Sequence, residues 1–327
     1  MQPNKTGYLK SDFHIFYLTN TEARDFQSHY HDFHKLLIFE SGSLSYYIEG
    51  ETYQLQPWDI VLVPAGQVHR PVIHDDSPYR RLIVYISPAF LEQYQTQGVD
   101  LYHCFDRCAR ENSHVLRMEK FPKSRLYPLF QELQRSAVEM HTLLKAQDTT
   151  QFSQETSRDQ STRDSELCLP KASDSSGHMP NSQKVSGILG HAYINLYQQS
   201  LLLQFLLLIT RFADGTSITF PPASGSNKQV LQALTYINEH LQEDLSVDQV
   251  AASCFLNRSY LMHLFRKETG YTVLSYITEK RLFAARTLIQ AGTPVTEACM
   301  RSGFQSYGAF YRAYRKKFGE APRVSQP

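Results

Sequence analysis

The stretch that decides the fold of the C-terminal part of this chain is SYLMHLFRK, at residues 259–267. A related stretch, GAFYRAYRK, follows 49 positions later at residues 308–316. Apolar residues recur in both at three- and four-residue spacing, which predicts two helices with one buried side each. The residues expected on those buried sides are Tyr260, Leu261, Leu264 and Phe265, then Ala309, Phe310, Ala313 and Tyr314. Gly270 follows the first helix and Gly319 follows the second. A helix C-terminus favours such a residue because glycine accepts positive φ.

A shorter amphipathic segment precedes each of these two helices. Ser246 stands at an N-cap position before Val247–Cys254, and a second short helix is expected over Thr296–Ser302. Asn257 and Ser306 stand at N-cap positions before the longer helices, where their side chains can accept hydrogen bonds from free backbone N–H groups. Two short helices joined by a tight turn, the second with a polar and basic outer side, are typical of a helix-turn-helix unit. The sequence predicts two such units, with a turn one residue longer in the second.

The distribution of charge separates this repeated region from the rest of the chain. From Lys228 onward there are 13 Lys and Arg against 8 Asp and Glu, whereas the remainder holds 20 against 24. A single unit with this periodicity would also fit an ordinary helical bundle whose charged sides face water. Two units in register, each ending in an Arg-Lys pair on a basic domain, favour DNA binding instead.

The second unit resembles the signature of the AraC/XylS family of bacterial transcription regulators. The matching residues, in order, are Gly303-Phe304, Ser306, Phe310, Arg312, Tyr314, Arg315-Lys316, Gly319 and Pro322. The sequence departs from the signature at Ala309, Ala321 and Val324-Ser325. The resemblance covers residues 228–327, and it implies a DNA-binding domain with two helix-turn-helix units.

On that resemblance, the outer sides of the two longer helices carry the DNA contacts. The base-reading candidates are Ser259, Met262, His263, Gly308, Tyr311 and Arg312. The phosphate-binding candidates are Asn257, Arg258, Arg266, Lys267, Ser306, Arg315 and Lys316. An arginine can read guanine through two hydrogen bonds, which contribute ~1–3 kcal/mol of discrimination. A long apolar helix over Thr272–Ala291 would hold the units so that they enter major-groove segments ~34 Å apart.

The N-terminal part contains short strands separated by turn residues, which predicts a small barrel or sandwich. The expected strands are Phe13–Leu18, Leu36–Phe39, Leu44–Ile48, Thr52–Leu55, Ile60–Val63, Pro71–Ile73 and Leu82–Ile86. The His-x-His of residues 29–31 and the Pro-x-Gly-x-x-His of residues 64–69 resemble the two motifs of the cupin fold. This resemblance implies a sensor barrel of the kind that AraC-type regulators often carry, with His29, His31 and His69 pointing inward.

The three histidines have more than one interpretation. Converging imidazoles suit a divalent transition metal. The cupin pattern, however, has a glutamate where this chain has His34-Lys35, and a lysine cation repels a metal ion. We therefore expect no metal and no cofactor, and we assign His29, His31, Lys35 and His69 to a small organic ligand. Ordinary polar residues at the mouth of the barrel are the remaining interpretation.

Two long apolar-striped helices are expected after the barrel, over Ser124–Leu144 and Gly187–Phe212. In the family such helices commonly form the dimer contact, so we expect a homodimer. Between them, residues 147–186 are rich in Ser, Thr, Gln and Asp and contain five large aliphatic or aromatic side chains. So little apolar surface cannot offset the entropy lost on ordering, which predicts a disordered insertion.

Cysteine usage and hydropathy indicate the compartment. The five cysteines lack disulfide or metal-site spacing, and Cys254 and Cys299 are expected in the core. The first ten residues are polar, and the longest apolar run, residues 201–209, is far shorter than the ~20 residues of a membrane span. We expect a cytoplasmic protein with no membrane contact.

The predicted fold class is α+β: a cupin-like β-barrel with two long helices, then an all-α domain of two helix-turn-helix units joined by a long helix. The expected domains are a sensor and dimerisation domain over residues 1–213, a linker over 214–227 and a DNA-binding domain over 228–327.

The predicted function is sequence-specific transcription regulation, with a barrel that senses a small molecule such as a sugar or another metabolite. The expected partners are double-stranded DNA, that effector, a second copy of the chain and, for an activator, RNA polymerase. We do not expect an enzyme. Two alternatives stay open: a metal-dependent cupin enzyme fused to a DNA-binding domain, and a regulator that works through dimerisation without a ligand.

Overall fold

The computed structural model describes residue 9 and residues 11–21, 26–95, 97–151, 187–215 and 217–323, with the backbone alone for 145–151 and 187–189. Its strands are β1 (Phe13–Asn20), β2 (His34–Ser41), β3 (Leu44–Ile48), β4 (Glu51–Gln54), β5 (Ile60–Val63), β6 (His69–Ile73), β7 (Tyr79–Ile86), β8 (Val115–Leu116) and β9 (Gly225–Ser226). They form a five-stranded sheet of order β1-β7-β2-β5-β8 and a four-stranded sheet of order β6-β3-β4-β9, and every pairing is antiparallel.

The five-stranded sheet is buried on both faces, which explains why its central strands are almost wholly apolar. Because side chains alternate along a strand, Leu36 and Ile38 of β2 join a core shared with the helices, whereas Leu37 and Phe39 join a core that also contains residues of the four-stranded sheet. The seven strands expected from the sequence are confirmed, with shifts of one to three residues at some ends. The two-residue strands β8 and β9 were not predicted.

The helices are α1 (Pro88–Gln95), α2 (His103–Arg110), α3 (Leu126–Gln151), α4 (Gly187–Ala213), α5 (Lys228–Glu239), α6 (Val247–Ser253), α7 (Arg258–Thr269), α8 (Val273–Gln290), α9 (Val295–Arg301) and α10 (Tyr307–Phe318). Helix α2 was not predicted, and its buried side carries Cys104, Phe105 and Cys108. The predicted insertion was placed too early, because α3 continues to Gln151. The rest of that insertion, residues 152–186, lies outside the described residues.

Helix α3 packs on α4 and on β1, and α4 also packs on α2. Leu201, Leu202, Phe205, Leu206 and Ile209 of α4 are buried in the core shared with the five-stranded sheet. By length and composition alone, the part of this helix over Gly190–Ala213 would be able to cross a membrane. The expectation of no membrane span had considered only the uninterrupted apolar run.

The two helix-turn-helix units are α6–α7 and α9–α10, and α8 joins them. Val273, Ile277, Leu282, Ala285 and Ile289 bury one side of α8. Leu274 follows the buried Val273 in the first turn, but its side chain is on the other side of the helix and is 54% exposed. With β-sheets followed by an all-helical region, the α+β fold class is confirmed.

The segment expected to be a linker lies against the sheets along part of its length. Gly225 and Ser226 pair with Thr52 and Glu51, and Thr219 forms an antiparallel bridge with Arg117. The boundaries at residues 213 and 228 remain a prediction.

Candidate DNA-binding face and effector pocket

Helix α7 is held at both ends by the residues expected from the sequence. The Asn257 side chain accepts a hydrogen bond from the Tyr260 backbone N–H at 2.8 Å. Gly270 ends the helix in the left-handed conformation, with φ of 78°. Leu261, Leu264 and Phe265 are buried beneath the helix, in a core formed with α5, α6 and α8. This anchoring leaves the opposite side of α7 exposed.

Helix α10 repeats the arrangement. The Ser306 hydroxyl accepts a hydrogen bond from the Ala309 N–H at 3.4 Å, and Gly319 closes the helix with φ of 78°. Phe310, Tyr314 and Phe318 are its buried residues. The predicted N-caps and C-terminal glycines of both longer helices are therefore confirmed.

Most of the predicted DNA-contacting residues lie together on these two exposed surfaces. On α7 and its N-cap the exposed candidates are Asn257, Arg258, Ser259, Met262, His263, Arg266 and Lys267. On α10 and its N-cap they are Ser306, Gly308, Arg312, Arg315 and Lys316, with Tyr311 partly buried. Arg258 also pairs with Asp248 at 2.7 Å, and both side chains of that pair are exposed.

Two residues expected on the buried sides of these helices are exposed instead. Tyr260 is 49% exposed, and Ala309 is also exposed. Both are the third residue of their helix, and Leu261 or Phe310 takes the buried direction one residue later. The spacing of apolar residues does not distinguish these exposed positions from the buried ones, so Tyr260 was missed as a candidate for the DNA-facing surface.

In the N-terminal domain, the structure brings His29, His31 and His69 together. The ring centroids of His69 lie 4.3 Å from His29 and 4.8 Å from His31, and His29 and His69 form a backbone bridge. His31 and His69 are buried, and His29 is half-buried. The expectation that these three side chains point to one place is confirmed in geometry.

Backbone carbonyl groups orient all three rings in the same way. The Nδ1 atoms of His29, His31 and His69 lie 3.0, 2.6 and 3.0 Å from the carbonyl oxygens of Gln27, Phe33 and Gln67, respectively. A carbonyl oxygen only accepts, so each Nδ1 carries the proton and each neutral ring presents Nε2 as an acceptor.

The protonation state of the three histidines favours this acceptor role. Burial, reinforced by the charge of Lys35, lowers the pKa of His29 to about 4. The pKa values of His31 and His69 are also well below the ordinary value, chiefly because both rings are buried. Among the described residues, His31 Nε2 has no hydrogen-bond partner, although it is buried. The cluster therefore holds an unfilled acceptor at neutral pH.

Lys35 supplies the matching donor beside these acceptors. Its ammonium group donates to the Tyr46 hydroxyl at 2.8 Å and lies 3.5 Å from His69 Nε2. Burial lowers the pKa of Lys35 to about 7, with a smaller contribution from the charge of Arg81. The neighbouring His34 is used differently, because its Nδ1 accepts a hydrogen bond from the Ala65 backbone N–H at 3.2 Å. No group of three or more His, Cys, Asp or Glu within the described ranges is arranged to hold a metal ion.

The residues between these histidines contact the C-terminal domain. The Tyr30 hydroxyl donates to the Glu279 carboxylate, and the Tyr30 ring lies 5.0 Å from Phe283, centroid to centroid. Lys317 of α10 lies over the same ring at 3.9 Å. Tyr30 was not among the residues predicted to be functional, although the alternation along an extended segment implies that it points away from the histidines.

Charged residues extend this contact between the domains. Asp32 pairs with Arg286 of α8 at 2.6 Å, and burial raises the pKa of Asp32 despite that arginine. Glu49 accepts a hydrogen bond from the Tyr276 hydroxyl at 2.5 Å and pairs with Lys280 at 3.1 Å. The interface between the domains therefore extends along α8, from Tyr276 to Arg286.

Comparisons with known proteins agree with both halves of this description. The family model described as an AraC-like ligand binding domain matches residues 14–166, and the one described as a helix-turn-helix domain matches residues 250–326. The chain is 33% identical over 99 residues to the regulatory protein SoxS of Salmonella typhimurium, across 30% of this chain and 92% of SoxS. It is 34% identical over 88 residues to the probable transcriptional regulator LumQ of Photobacterium leiognathi, across 27% of this chain and only 36% of LumQ.

A solved structure of a probable AraC family transcriptional regulator from Rhodopseudomonas palustris is similar at 28% identity and a TM-score of 0.28, over 29% of this chain and 92% of that one. The match to nearly the whole of SoxS, together with the two family models, decides the classification. This chain belongs to the AraC family of DNA-binding transcription regulators, with an AraC-like ligand-binding domain ahead of its helix-turn-helix domain.

Proposed function

We propose that the chain is a cytoplasmic, homodimeric regulator that binds a specific DNA site and responds to a hydroxyl-bearing small molecule, such as a sugar. The observation that carries the DNA-binding part is the pair of capped helices, α7 and α10, with polar and basic residues on their exposed sides. For an activator, RNA polymerase would be a further partner.

The proposed contacts divide into two classes. Ser259, Met262, His263, Gly308, Tyr311 and Arg312 contact base edges in the major groove. Asn257, Arg258, Arg266, Lys267, Ser306, Arg315 and Lys316 contact phosphates and fix the register of the protein on DNA. Asn257 and Ser306 have a double role, since their side-chain oxygens already cap the helices.

The effector class follows from the chemistry of the histidine cluster. His29, His31 and His69 present acceptor nitrogens, and Lys35 presents a donor. A molecule with several hydroxyl groups can donate to the imidazoles and accept from the lysine at the same time. A metal-dependent enzyme reaction has less support, because the relatives compared above are transcription regulators.

The segment of residues 29–32 provides a route from the effector to the DNA-binding domain. His29 and His31 lie against His69 in the histidine cluster, while Tyr30 and Asp32 contact Glu279 and Arg286 of α8. An effector that shifts the two histidines also shifts the two residues between and beside them. Effector binding would in this way alter the interface with α8, which joins the two helix-turn-helix units.

The dimer contact is placed on α4. Tyr193, Leu196 and Leu207 of this helix are 71%, 68% and 49% exposed, and their spacing puts them on one side of it. Burying this side against a second copy would remove apolar surface from water. Leu196→Glu should therefore produce a monomer in sedimentation equilibrium, whereas Gln131→Glu on the exposed side of α3 should not. A dimer that survives Leu196→Glu would exclude this surface.

DNA binding is tested by selecting duplexes from a random-sequence library with the wild-type chain. Arg312→Ala should weaken binding to the selected site by ~1–3 kcal/mol and relax the base preference at one position. Arg301→Ala is the matched control, because Arg301 is an exposed arginine of the same unit that pairs with Glu297 on α9. Equal losses for the two variants, or no selected sequence, would contradict the assignment.

The effector class is tested by thermal unfolding in the presence of a panel of monosaccharides and polyols. A binding sugar should raise the melting temperature of the wild type in a concentration-dependent way, since it binds the folded state alone. His31→Phe should remove that shift, whereas His240→Phe, in the C-terminal domain, should keep it. A shift that persists in His31→Phe would place the effector elsewhere.

A further inference from the structure

A cavity lies outside the histidine cluster, between β1, α3 and α4. Its volume is about 190 Å³, and β1, the edge strand of the five-stranded sheet, forms its floor. Ala137, Met140 and Leu144 line it from α3, and His191, Asn195 and Gln198 line it from α4. Both sets follow helical spacing, so each helix presents one stripe to the cavity.

Unsatisfied polar atoms mark this cavity as a binding site. Gln198 is only 4% exposed, yet its amide nitrogen has no hydrogen-bond partner among the described residues. The same holds for the buried Nε2 atom of His191. A buried polar group without a partner costs ~1–3 kcal/mol, and native structures contain few of them. Two such groups on the wall of one cavity indicate a missing partner that enters the cavity.

The rest of the lining defines the chemistry of that partner. The walls are mainly apolar, with Phe13, Phe16 and Leu18 on the β1 side. The polar part consists of histidines, amides, a serine and Tyr17, and none of the described residues that line the cavity is Asp, Glu, Lys or Arg. These described lining residues supply no negative charge to balance a cation, whereas amide and imidazole N–H groups can donate to an anionic or carbonyl oxygen. The volume is slightly above the ~150 Å³ of an apolar cavity that holds benzene.

We propose that this cavity is a second ligand site, which binds a small molecule with one ring or a short chain and a carboxylate or carbonyl head held by Gln198 and His191. The apolar body would lie against Met140 and the β1 residues, and the head would accept hydrogen bonds from the two unpartnered groups. This site is separate from the histidine cluster, and it joins the sheet to α3 and to α4, the helix on which we place the dimer contact.

The test is calorimetric titration of the full chain with phenylacetate. The wild type should bind one molecule per chain, and Gln198→Leu should weaken binding by about tenfold or more, as expected for a lost hydrogen bond to a charged group. Gln131→Leu makes the same substitution on the exposed side of α3 and should bind like the wild type. Phenethylamine, which has a similar ring and chain but a cationic head, should not bind. Absence of saturable phenylacetate binding, or unchanged affinity in Gln198→Leu, would overturn the proposal.

A measurement on the wild-type chain covers the case in which Gln198→Leu does not fold. Diethylpyrocarbonate modifies accessible imidazoles, and mass spectrometry reports the rate at each histidine. Saturating phenylacetate should slow modification of His191 severalfold and leave His240 unchanged. Equal rates at His191 with and without phenylacetate would also overturn the proposal.

Discussion

The turns of the two helix-turn-helix units have the same backbone conformation but different surroundings. Phe255 and Gly303 occupy corresponding positions, with φ of 57° and 90°. Each N–H bonds to the carbonyl oxygen three residues earlier, on Ala252 or Met300. Phe255 is 91% exposed, whereas a Cβ on Gly303 would lie 2.4 Å from the carbonyl oxygen of Leu241. The first turn faces solvent, and the second is packed against the segment between α5 and α6.

The cores of the two units differ in a related way. The first unit shares its core with Tyr30 and Val68 of the N-terminal domain. The core of the second unit consists of residues from α8, α9 and α10. The sensor domain therefore has a direct apolar contact with the first unit, and it reaches the second through α8 and Lys317. The two units therefore share a sequence pattern but differ in their contacts with the sensor domain.

Gly303→Ala should have the largest effect on stability. The added methyl group meets a backbone oxygen that cannot move aside, in a conformation that an alanine already disfavours. We expect a loss of ~3 kcal/mol or more in the free energy of unfolding, measured by urea denaturation. Phe255→Ala places the same residue at the corresponding exposed position, and it should cost less than ~1 kcal/mol. Similar losses at both positions would remove the difference between the two turns.

Tyr30→Ala tests the shared core of the first unit. Loss of a buried aromatic ring should lower the free energy of unfolding by ~3 kcal/mol. Hydrogen exchange should then increase in α7 and the N-terminal half of α8 more than in α9. Tyr30→Phe keeps the ring and loses the hydrogen bond to Glu279, so it should cost only ~1 kcal/mol. Equal increases in exchange throughout both units would contradict the unequal coupling.

Lys35→Met tests the buried lysine beside the histidine cluster. The folded chain lowers the pKa of Lys35 from 10.5 to about 7. Between these values the unfolded chain binds more protons than the folded chain, so the free energy of unfolding rises as pH increases from about 7 to about 10.5. Below about pH 7 the buried lysine is charged and its full cost is present. Lys35→Met should raise the free energy of unfolding at neutral pH by ~2 kcal/mol or more and flatten this dependence. Lys123→Met, at an exposed position, should leave the pH dependence of the free energy of unfolding unchanged. If Lys35→Met shows the same pH dependence as the wild type, the pKa of Lys35 is not lowered in the folded chain.

Phe255→Gly should give the smallest effect, and with the opposite sign. Glycine adopts positive φ without strain, so the exchange should stabilise the first unit by ~0.5–1 kcal/mol in thermal unfolding, partly offset by the greater freedom of the unfolded chain. A loss of stability would show that the exposed Phe255 ring makes a contact of its own.

The fold was largely predictable because its signals are local. Periodicity predicted α7 and α10, N-cap chemistry located Asn257 and Ser306, and the strands followed from apolar runs between turn residues. The AraC resemblance, drawn from Gly303 and the residues after it, is confirmed by the comparisons. Helix α2 was missed because only four of its eight residues are apolar, and two of those four are cysteines.

The contacts between distant segments could not be predicted. Tyr30 meets α8 across about 250 residues of chain, and no local pattern relates the two. The same is true of the cavity between β1, α3 and α4, where His191 lies with Gln198 in a wall completed by β1. The proposed roles of His29, His31, Lys35 and His69, and of the individual DNA contacts, remain predictions.

The most direct test of the account is a footprint of the selected DNA site with one variant in each unit. His263→Ala on α7 and Arg312→Ala on α10 are compared with the wild type by methylation interference. We predict that each variant loses contacts at a different group of bases and that the two groups lie ~34 Å apart, about one DNA turn. Loss of the same bases in both variants, or of none in either, would contradict the claim that the two units read successive segments of the major groove.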